Sequence, residues 1–363
     1  MKVLITGGAG FIGSTVASAC LDAGITPVVL DNTVTGRAEF AEGRIFYRGD
    51  IADGALLDRV FAEHPDIAAT VHCAALAVVP DSVADPLAYY QVNVTGTLEL
   101  VRHLLRNHCR RLLFSSSASV YRPGADFTVD EDSPFDPQSP YARTKAICEQ
   151  LLADVAAAEP LRVLSLRYFN PIGADPALRT GLQLPRPNHA LGRLIQSWQR
   201  GEPFLVTGTD YPTRDGSGLR DYVHVWDLAR AHVAALTRFD LILPPATTPA
   251  GTAPAGTAST ATATAGAGAD AVGGSPATSL AVNLGTETGT TVTELVRAFN
   301  ALVDRPVTAV PAPRRPGDVA GARTRSDRAR TLLGWEPALT LADGIRDSLR
   351  WAEVRPARLA DRS

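Results

Sequence analysis

Ser139-Pro-Tyr141-Ala-Arg-Thr-Lys145 sets a phenol and an ammonium four residues apart. Pro140 keeps Ser139 out of helical geometry, so a helix can start there, and the spacing then puts Tyr141 and Lys145 on one helix face. A free tyrosine has a pKa of about 10, far too high for a base at neutral pH. An ammonium about 4 Å away, at an effective dielectric of about 20, contributes roughly 4 kcal/mol, or about three pKa units. The expectation is a phenol that titrates at about 7 and can both take and return a proton. Ser115-Ser116-Ser117 offers hydroxyls nearby. A Tyr-x-x-x-Lys pair is common enough on an ordinary helix surface. This one carries weight because of where it falls, opening a helix after the fifth strand of a nucleotide-binding pattern.

That pattern begins at Lys2-Val-Leu-Ile-Thr6, which runs into Gly7-Gly-Ala-Gly10-Phe11-Ile12-Gly13. An apolar run, spaced glycines and an apolar-periodic segment predict strand, tight turn and helix, with the helix N–H groups facing a pyrophosphate. The spacing fits both Gly8-x-Gly10-x-x-Gly13 and Gly7-x-x-Gly10-x-x-Gly13, so the glycines alone leave the dinucleotide family open. Thr26 to Asn32 reads as a second strand ending in Asp31, 18 residues beyond Gly13. A carboxylate there can accept both ribose hydroxyls of an adenosine and repels a 2′-phosphate, which favours NAD over NADP.

Further strands are predicted at Arg44–Asp50, Ala69–Ala75, Arg111–Ser117 and Arg162–Tyr168, with a long helical region from Ala84 to Asn107 and an 18-residue helix before Arg162. Strands alternating with helices imply an α/β fold, a Rossmann-like doubly wound parallel sheet with ligands at the carboxyl ends of the strands. Beyond Asn170 the alternation loosens into a smaller C-terminal α/β lobe for substrate. It is expected to hold a helix at Leu191–Arg200, a strand at Phe204–Gly208, a turn-rich loop from Asp210, and helices at Thr291–Leu302 and Leu341–Trp351. The division expected is 1–170, joined by 221–240 and 280–288, against 171–220 with 289–353. Residues 244–279 are almost all Pro, Ala, Thr, Gly and Ser, with Asp270 the only charge. Such a stretch has too little bulky apolar surface to offset its ordering entropy, so a disordered, dispensable insertion is expected.

The chain has 363 residues and a net charge of −3, from 35 basic and 38 acidic side chains mixed along it. No basic stripe points to nucleic acid and no apolar run to a membrane span. The first strand at Lys2 leaves no secretory leader to expect. Cys20, Cys73, Cys109 and Cys148 lack metal spacing and read as reduced cysteines of a cytoplasmic protein.

Thr6-Gly-Gly-Ala-Gly-Phe-Ile-Gly13, Ser115-Ser-Ser-Ala-Ser-Val-Tyr121 and Tyr141-x-x-x-Lys145 resemble the extended short-chain dehydrogenase/reductase family. Arg167-Tyr-Phe-Asn-Pro-Ile-Gly-Ala174, Asp210 to Val225 and Arg315-Pro-Gly-Asp318 are similar to its UDP-glucose 4-epimerase branch. The resemblance implies an NAD-dependent isomerase that inverts C4 of a UDP-hexose through a 4-keto sugar. It makes Tyr141 the base on the 4-hydroxyl, Lys145 its tuning cation and nicotinamide-ribose contact, and Ser117 a hydrogen-bond partner of the same hydroxyl. It assigns the adenosine ribose to Asp31 and Asn32 and the adenine to Asp50 and Ile51, places Asn93 near the cofactor, and puts Tyr168 and Pro171 on the nicotinamide side. Asn170, Arg220, Tyr222, Arg315 and Asp318 would hold the UDP. Forked guanidinium donors suit phosphate oxygens in their own right. The resemblance also implies a homodimer through the helices of Ala84–Asn107 and of Tyr141, with Leu98, Val101, Leu105, Ile147, Leu151 and Val155 compatible.

Some positions depart from that branch's pattern: Ala77 replaces a lysine, Pro187-Asn-His-Ala-Leu191 replaces adjacent asparagines, and Thr207 stands where an aromatic often stacks on the base. Ala322 is small at a position tied in the family to excluding N-acetylated sugars, so UDP-N-acetylglucosamine is a second expected substrate. Arg323, next to it, could close that space. A sugar-nucleotide 4,6-dehydratase would need an acid pair beside the strand-five hydroxyl, but Ser117 is followed by Ala118 and Ser119. A non-catalytic dinucleotide sensor would lack the Tyr/Lys pair.

Overall fold

In β1 (Lys2–Thr6), Val3 and Ile5 face one apolar cluster and Leu4 the other, which is the pattern of a strand covered on both sides. The computed structural model describes residues 1–185, 187–245, 277–314 and 319–359. Six more strands join β1 in parallel: β2 (Thr26–Asp31), β3 (Ile45–Arg48), β4 (Ile67–His72), β5 (Arg111–Ser117), β6 (Arg162–Tyr168) and β7 (Ser279–Leu284). Their order is β3-β2-β1-β4-β5-β6-β7, a doubly wound sheet whose direction of winding reverses beside β1. Helices Phe11–Asp22 and Val225–Thr237 cover one face through Val16, Cys20, Leu228 and Leu236. Helices Gly54–Glu63, Gly96–Arg106 and Pro140–Ala158 cover the other through Leu57, Leu100, Leu104 and Leu152. Each such buried side chain stabilises the fold by about 1.5–3 kcal/mol relative to exposure.

A third cluster, built on Ile172, Leu194, Phe204, Leu295, Phe299 and Ile345, packs helices Ala190–Arg200, Val292–Asn300 and Leu341–Arg358 together. Two short strands, Asn170–Ile172 and Tyr222–His224, pair in parallel next to it. The fold class is the expected α/β one.

Several boundaries differ from expectation. The helical region from Ala84 is not continuous: Val79–Ala84 stops before Pro86, and Asp85 caps the next helix by accepting from the Ala88 N–H at 3.1 Å. A π-helical stretch, Tyr90–Thr95, then interrupts the rod before Gly96–Arg106. β4 ends at His72, which frees residues 73–75 to leave the sheet and line a cleft. The last helix runs on to Arg358 through Pro356. Of the expected insertion, 246–276 lies outside the described residues, and Ser279 already belongs to β7. No described helix is long and apolar enough to cross a membrane, and no described cluster of side chains has the makings of a metal site.

Candidate active site

A cleft of about 1130 Å³ opens at the carboxyl ends of β1, β2, β4, β5 and β6 and extends under the smaller lobe. At its dinucleotide end, Gly7 has φ +68°, and a Cβ there would stand 2.6 Å from the Ala74 nitrogen. A Cβ on Gly13 would lie 2.3 Å from the Gly7 oxygen, so the turn closes only on hydrogens. The helix it opens, starting at Phe11, has no side-chain cap and no acid in its first turn. The first N–H groups of that helix, with Gly10, Phe11, Ile12 and Gly13 all on the cleft wall, are left to face an anion.

Asp31, at the end of β2, is 7% exposed and lines the same cleft. Its carboxylate accepts from the N–H groups of Ala9 at 3.0 Å and Thr33 at 2.7 Å, which aims it, while burial pushes its pKa up. The Asn32 amide donates to Asp50 at 3.0 Å, and Ile51 lines the wall next to them. An uncapped helix start beside a buried, oriented carboxylate fits the pyrophosphate and adenosine ribose of NAD. Asn93 stands behind this wall. It is 2% exposed and does not reach the cleft, because its amide bonds both polar groups of the Leu76 backbone, at 2.8 and 3.0 Å, and the Thr144 hydroxyl at 3.0 Å. It ties the cleft loop to the helix of Tyr141.

That helix, Pro140–Ala158, starts where expected, with the Ser139 hydroxyl accepting from the Ala142 N–H at 3.2 Å. Tyr141, Lys145 and Ser117 all line the cleft. Lys145 is 4% exposed, donates to the Ser115 carbonyl at 2.7 Å and lies 4.9 Å over the Phe114 ring. The phenol is not lowered as expected. Burial pushes the Tyr141 pKa above its ordinary value, and only the nearby Ser117 hydroxyl opposes this. Spacing along the helix leaves out desolvation of the phenolate, which sets the direction here, and Lys145 is not among the groups that shift it. Burial likewise lowers the pKa of Lys145.

The remaining expected residues fall in three places. Tyr168 lines the cleft with its hydroxyl held between Ser115 and His232, each at 2.7 Å. Asn170, Pro171, Arg220 and Tyr222 line the far wall, and Asn170 and Tyr222 are register partners. Arg220 donates to the carbonyls of Leu219 at 2.7 Å, Ala320 at 3.1 Å and Val319 at 3.3 Å, and the buried Tyr222 hydroxyl has no partner among the described residues. Arg315 and Asp318 lie outside the described residues.

Asp221 is a functional support that the sequence reading passed over, although it stands between Arg220 and Tyr222. Fully buried, its carboxylate accepts from the N–H groups of Thr286 at 2.7 Å, Glu287 at 2.9 Å and Thr324 at 3.2 Å, anchoring that wall. An acid flanked by a basic and an aromatic residue was the available signal. Arg323 does not close the space beside Ala322. It reaches instead to the Thr128 hydroxyl at 3.1 Å and the Glu287 carbonyl at 3.4 Å, while Ala322 lines the cleft.

Known proteins match this arrangement along the whole chain. The model of the NAD dependent epimerase/dehydratase family matches residues 3–248. A UDP-glucose 4-epimerase of Azospirillum brasilense is 39% identical over 353 residues, covering 96% of this chain and 91% of that one. The crystal structure of a UDP-glucose 4-epimerase from Stenotrophomonas maltophila with bound NAD and formylated UDP-arabinopyranose superimposes with a TM-score of 0.85 at 33% identity. It covers 98% of this chain and 99% of its own. A UDP-glucose 4-epimerase from Bifidobacterium longum in complex with NAD+ and UDP gives a TM-score of 0.83 at 31% identity, over 99% and 100%.

Proposed function

Because the chain belongs to the NAD dependent epimerase/dehydratase family, we propose that its cleft holds NAD along the glycine turn and a UDP-hexose under the smaller lobe, with Tyr141 at their meeting point. The protein is an NAD-dependent isomerase that inverts C4 of a UDP-hexose, interconverting UDP-glucose and UDP-galactose through a transient 4-keto sugar. NAD, when bound, supplies the acceptor that takes hydride from C4 and gives it back. The observation that carries the residue assignments is the cleft itself, which brings Ser117, Tyr141 and Lys145 together with the glycine turn and Asp31 on one continuous wall.

In this reading Tyr141 takes the proton of the 4-hydroxyl and later returns it from the same oxygen. Ser117, on the same cleft wall as that phenol, holds the sugar oxygen in line. Arg220 and Tyr222 grip the diphosphate: the guanidinium exchanges backbone carbonyls for phosphate oxygens, and the orphaned hydroxyl of Tyr222 gains an acceptor. Asn170 contacts the UDP, and Arg315 and Asp318 complete that end. Anchoring the nucleotide while leaving the sugar loosely held lets the keto sugar present its other face. Residues 1–170 with 221–240 and 280–288 form the NAD-binding unit of this scheme, and 171–220 with 289–353 the substrate lobe. Incubating the purified protein with UDP-galactose, without added cofactor, should yield UDP-glucose; no conversion even with NAD supplied would overturn the reading.

A wider substrate range is favoured by one observation, the small Ala322 on the cleft wall with Arg323 turned away from it. UDP-N-acetylglucosamine should therefore also turn over, and absence of product from that sugar would remove the idea. A homodimer belongs to the same proposal. Ile147, Leu87 and Val83, 40%, 82% and 49% exposed, leave an apolar surface on and beside the Tyr141 helix. All four cysteines are free, in keeping with a cytoplasmic setting.

A further inference from the structure

Tyr141, Lys145 and Glu149 follow one another at four-residue steps along the helix Pro140–Ala158, and each meets a different residue of the serine run in β5. Tyr141 lines the cleft with Ser117, Lys145 donates to the Ser115 carbonyl at 2.7 Å, and Glu149 accepts from the Ser116 hydroxyl. Strand alternation explains the division. Ser115 turns its side chain to Tyr168 at 2.7 Å on one face of the sheet, and Ser116 turns its own to the helix on the other.

Ser116 does not stand alone on that face. It is in register with Arg167 of β6, and Arg167 is in register with Asn283 of β7, so the three form one row across the sheet. Glu149 grips Arg167 through Nε at 3.0 Å and Nη2 at 2.6 Å. Arg167 passes the contact on to the Tyr121 hydroxyl at 2.5 Å, and Tyr121 donates to Asn283 at 2.6 Å. The pair is buried, with Arg167 side-chain exposure at 6% and that of Glu149 at 10%. A bidentate guanidinium–carboxylate pair away from water holds its two elements in one orientation.

We propose that Glu149 is a positioning residue for the proton transfer. Bound to Ser116 and Arg167, it sets the rotation and height of the Tyr141 helix against β5, so that the phenol meets Ser117 and the ammonium meets the Ser115 carbonyl. Glu149 does not line the cleft and acts through Tyr141. This rests on the reading of Tyr141 as the base. Its electrostatic influence on Lys145 is the rival account, since burial lowers the pKa of that ammonium and Cys148, Cys73 and the carboxylate oppose it.

Two variants separate these roles. Glu149→Gln keeps the shape and loses the charged grip on Arg167, whereas Ser116→Ala removes the tether to β5 and leaves every charge in place. Misplacing reacting groups by about 1 Å can cost about 100-fold in rate. The expected result is a kcat lower by about 10- to 100-fold in Glu149→Gln and by a few-fold in Ser116→Ala, with KM for UDP-galactose and the bound NAD content unchanged in both. Glu149→Asp, which keeps the charge but shortens the reach, should not restore kcat. A normal kcat in Ser116→Ala beside a slow Glu149→Gln would assign the effect to charge and overturn the proposal, as would rescue by Glu149→Asp or a loss confined to KM. If Glu149→Gln does not fold, Ser116→Ala and its kcat-to-KM split decide alone. Tyr141→Phe run alongside keeps the two readings apart: full activity there removes the base assignment, and an inactive Tyr141→Phe with normal Ser116→Ala and Glu149→Gln removes only the positioning role.

Discussion

At the scale of single residues, the decisive group is the Tyr141 phenol, whose environment pulls in two directions. Burial raises its pKa and Ser117 opposes the rise, so the free protein favours the protonated phenol. The phenol must therefore give up its own proton to solvent before it can take that of the 4-hydroxyl, which leaves as C4 loses its hydride. Tyr141→Phe removes the only oxygen available for that exchange at this position. Its kcat should fall by about 100- to 10,000-fold. KM should stay within a few-fold and the variant should still fold, as judged by circular dichroism and steady-state assay. Asp31 shows how much a residue's meaning depends on aim. Its place at the end of β2 was readable, but the two N–H groups that orient it belong to Ala9 and Thr33, one of them 22 positions back in the chain.

Elements set how those residues meet. The turn from Gly7 to Gly13 is closed so tightly that Gly13→Ala would push a methyl to 2.3 Å from the Gly7 oxygen. Opening it displaces the uncapped helix start from the pyrophosphate. The variant should purify without NAD, measured by absorbance after denaturation, and lose at least about 1–3 kcal/mol of stability. Between strands and helices, two buried histidines act as neutral bolts. His72 bridges the Thr6 hydroxyl at 2.7 Å and that of Thr97 at 2.9 Å, and His232 holds Tyr168. Burial depresses their pKa values to about 3 and about 4. The unfolded chain binds protons at these sites near pH 6.5 and the folded chain does not. Their stabilisation is thus complete above about pH 6.5 and lost as pH falls from there toward about 4, at roughly 3 kcal/mol per pH unit for the two together. Urea midpoints measured from pH 7 to pH 4.5 should fall accordingly; a flat profile would show that both are protonated in the fold.

For the molecule as a whole, the arrangement separates one task from another. In the proposed scheme the seven-stranded sheet presents the cofactor wall, and the cluster around Phe204, Leu295 and Phe299 carries the wall assigned to the nucleotide. The exposed side chains of Leu87 and Ile147 lie beside and on the helix that carries the base, so association through them would brace the catalytic helix. Replacing both by Asp should convert a dimer to a monomer in light scattering and lower thermal stability while NAD remains bound. Light scattering showing one unchanged mass for both proteins would place any subunit contact elsewhere.

What the linear chain determined follows from local rules. The strand-turn-helix at Lys2–Asp22, the acid ending β2 and the Pro140 start of the Tyr141 helix depend on periods of two and 3.6, on glycine's missing side chain and on proline's fixed geometry. Each acts within a few residues, so each is legible. The tie from Asn93 to the cleft loop, the turn of Arg323 from the cleft to Thr128 and the anchoring by Asp221 of turns more than 60 residues away were not legible. Nor was the upward shift of the Tyr141 pKa, because desolvation depends on everything packed around a group and spacing along a helix gives only one neighbour. Only the tertiary structure decides which of a polar side chain's many possible partners arrives first, and that choice settles whether it serves the ligand or the fold.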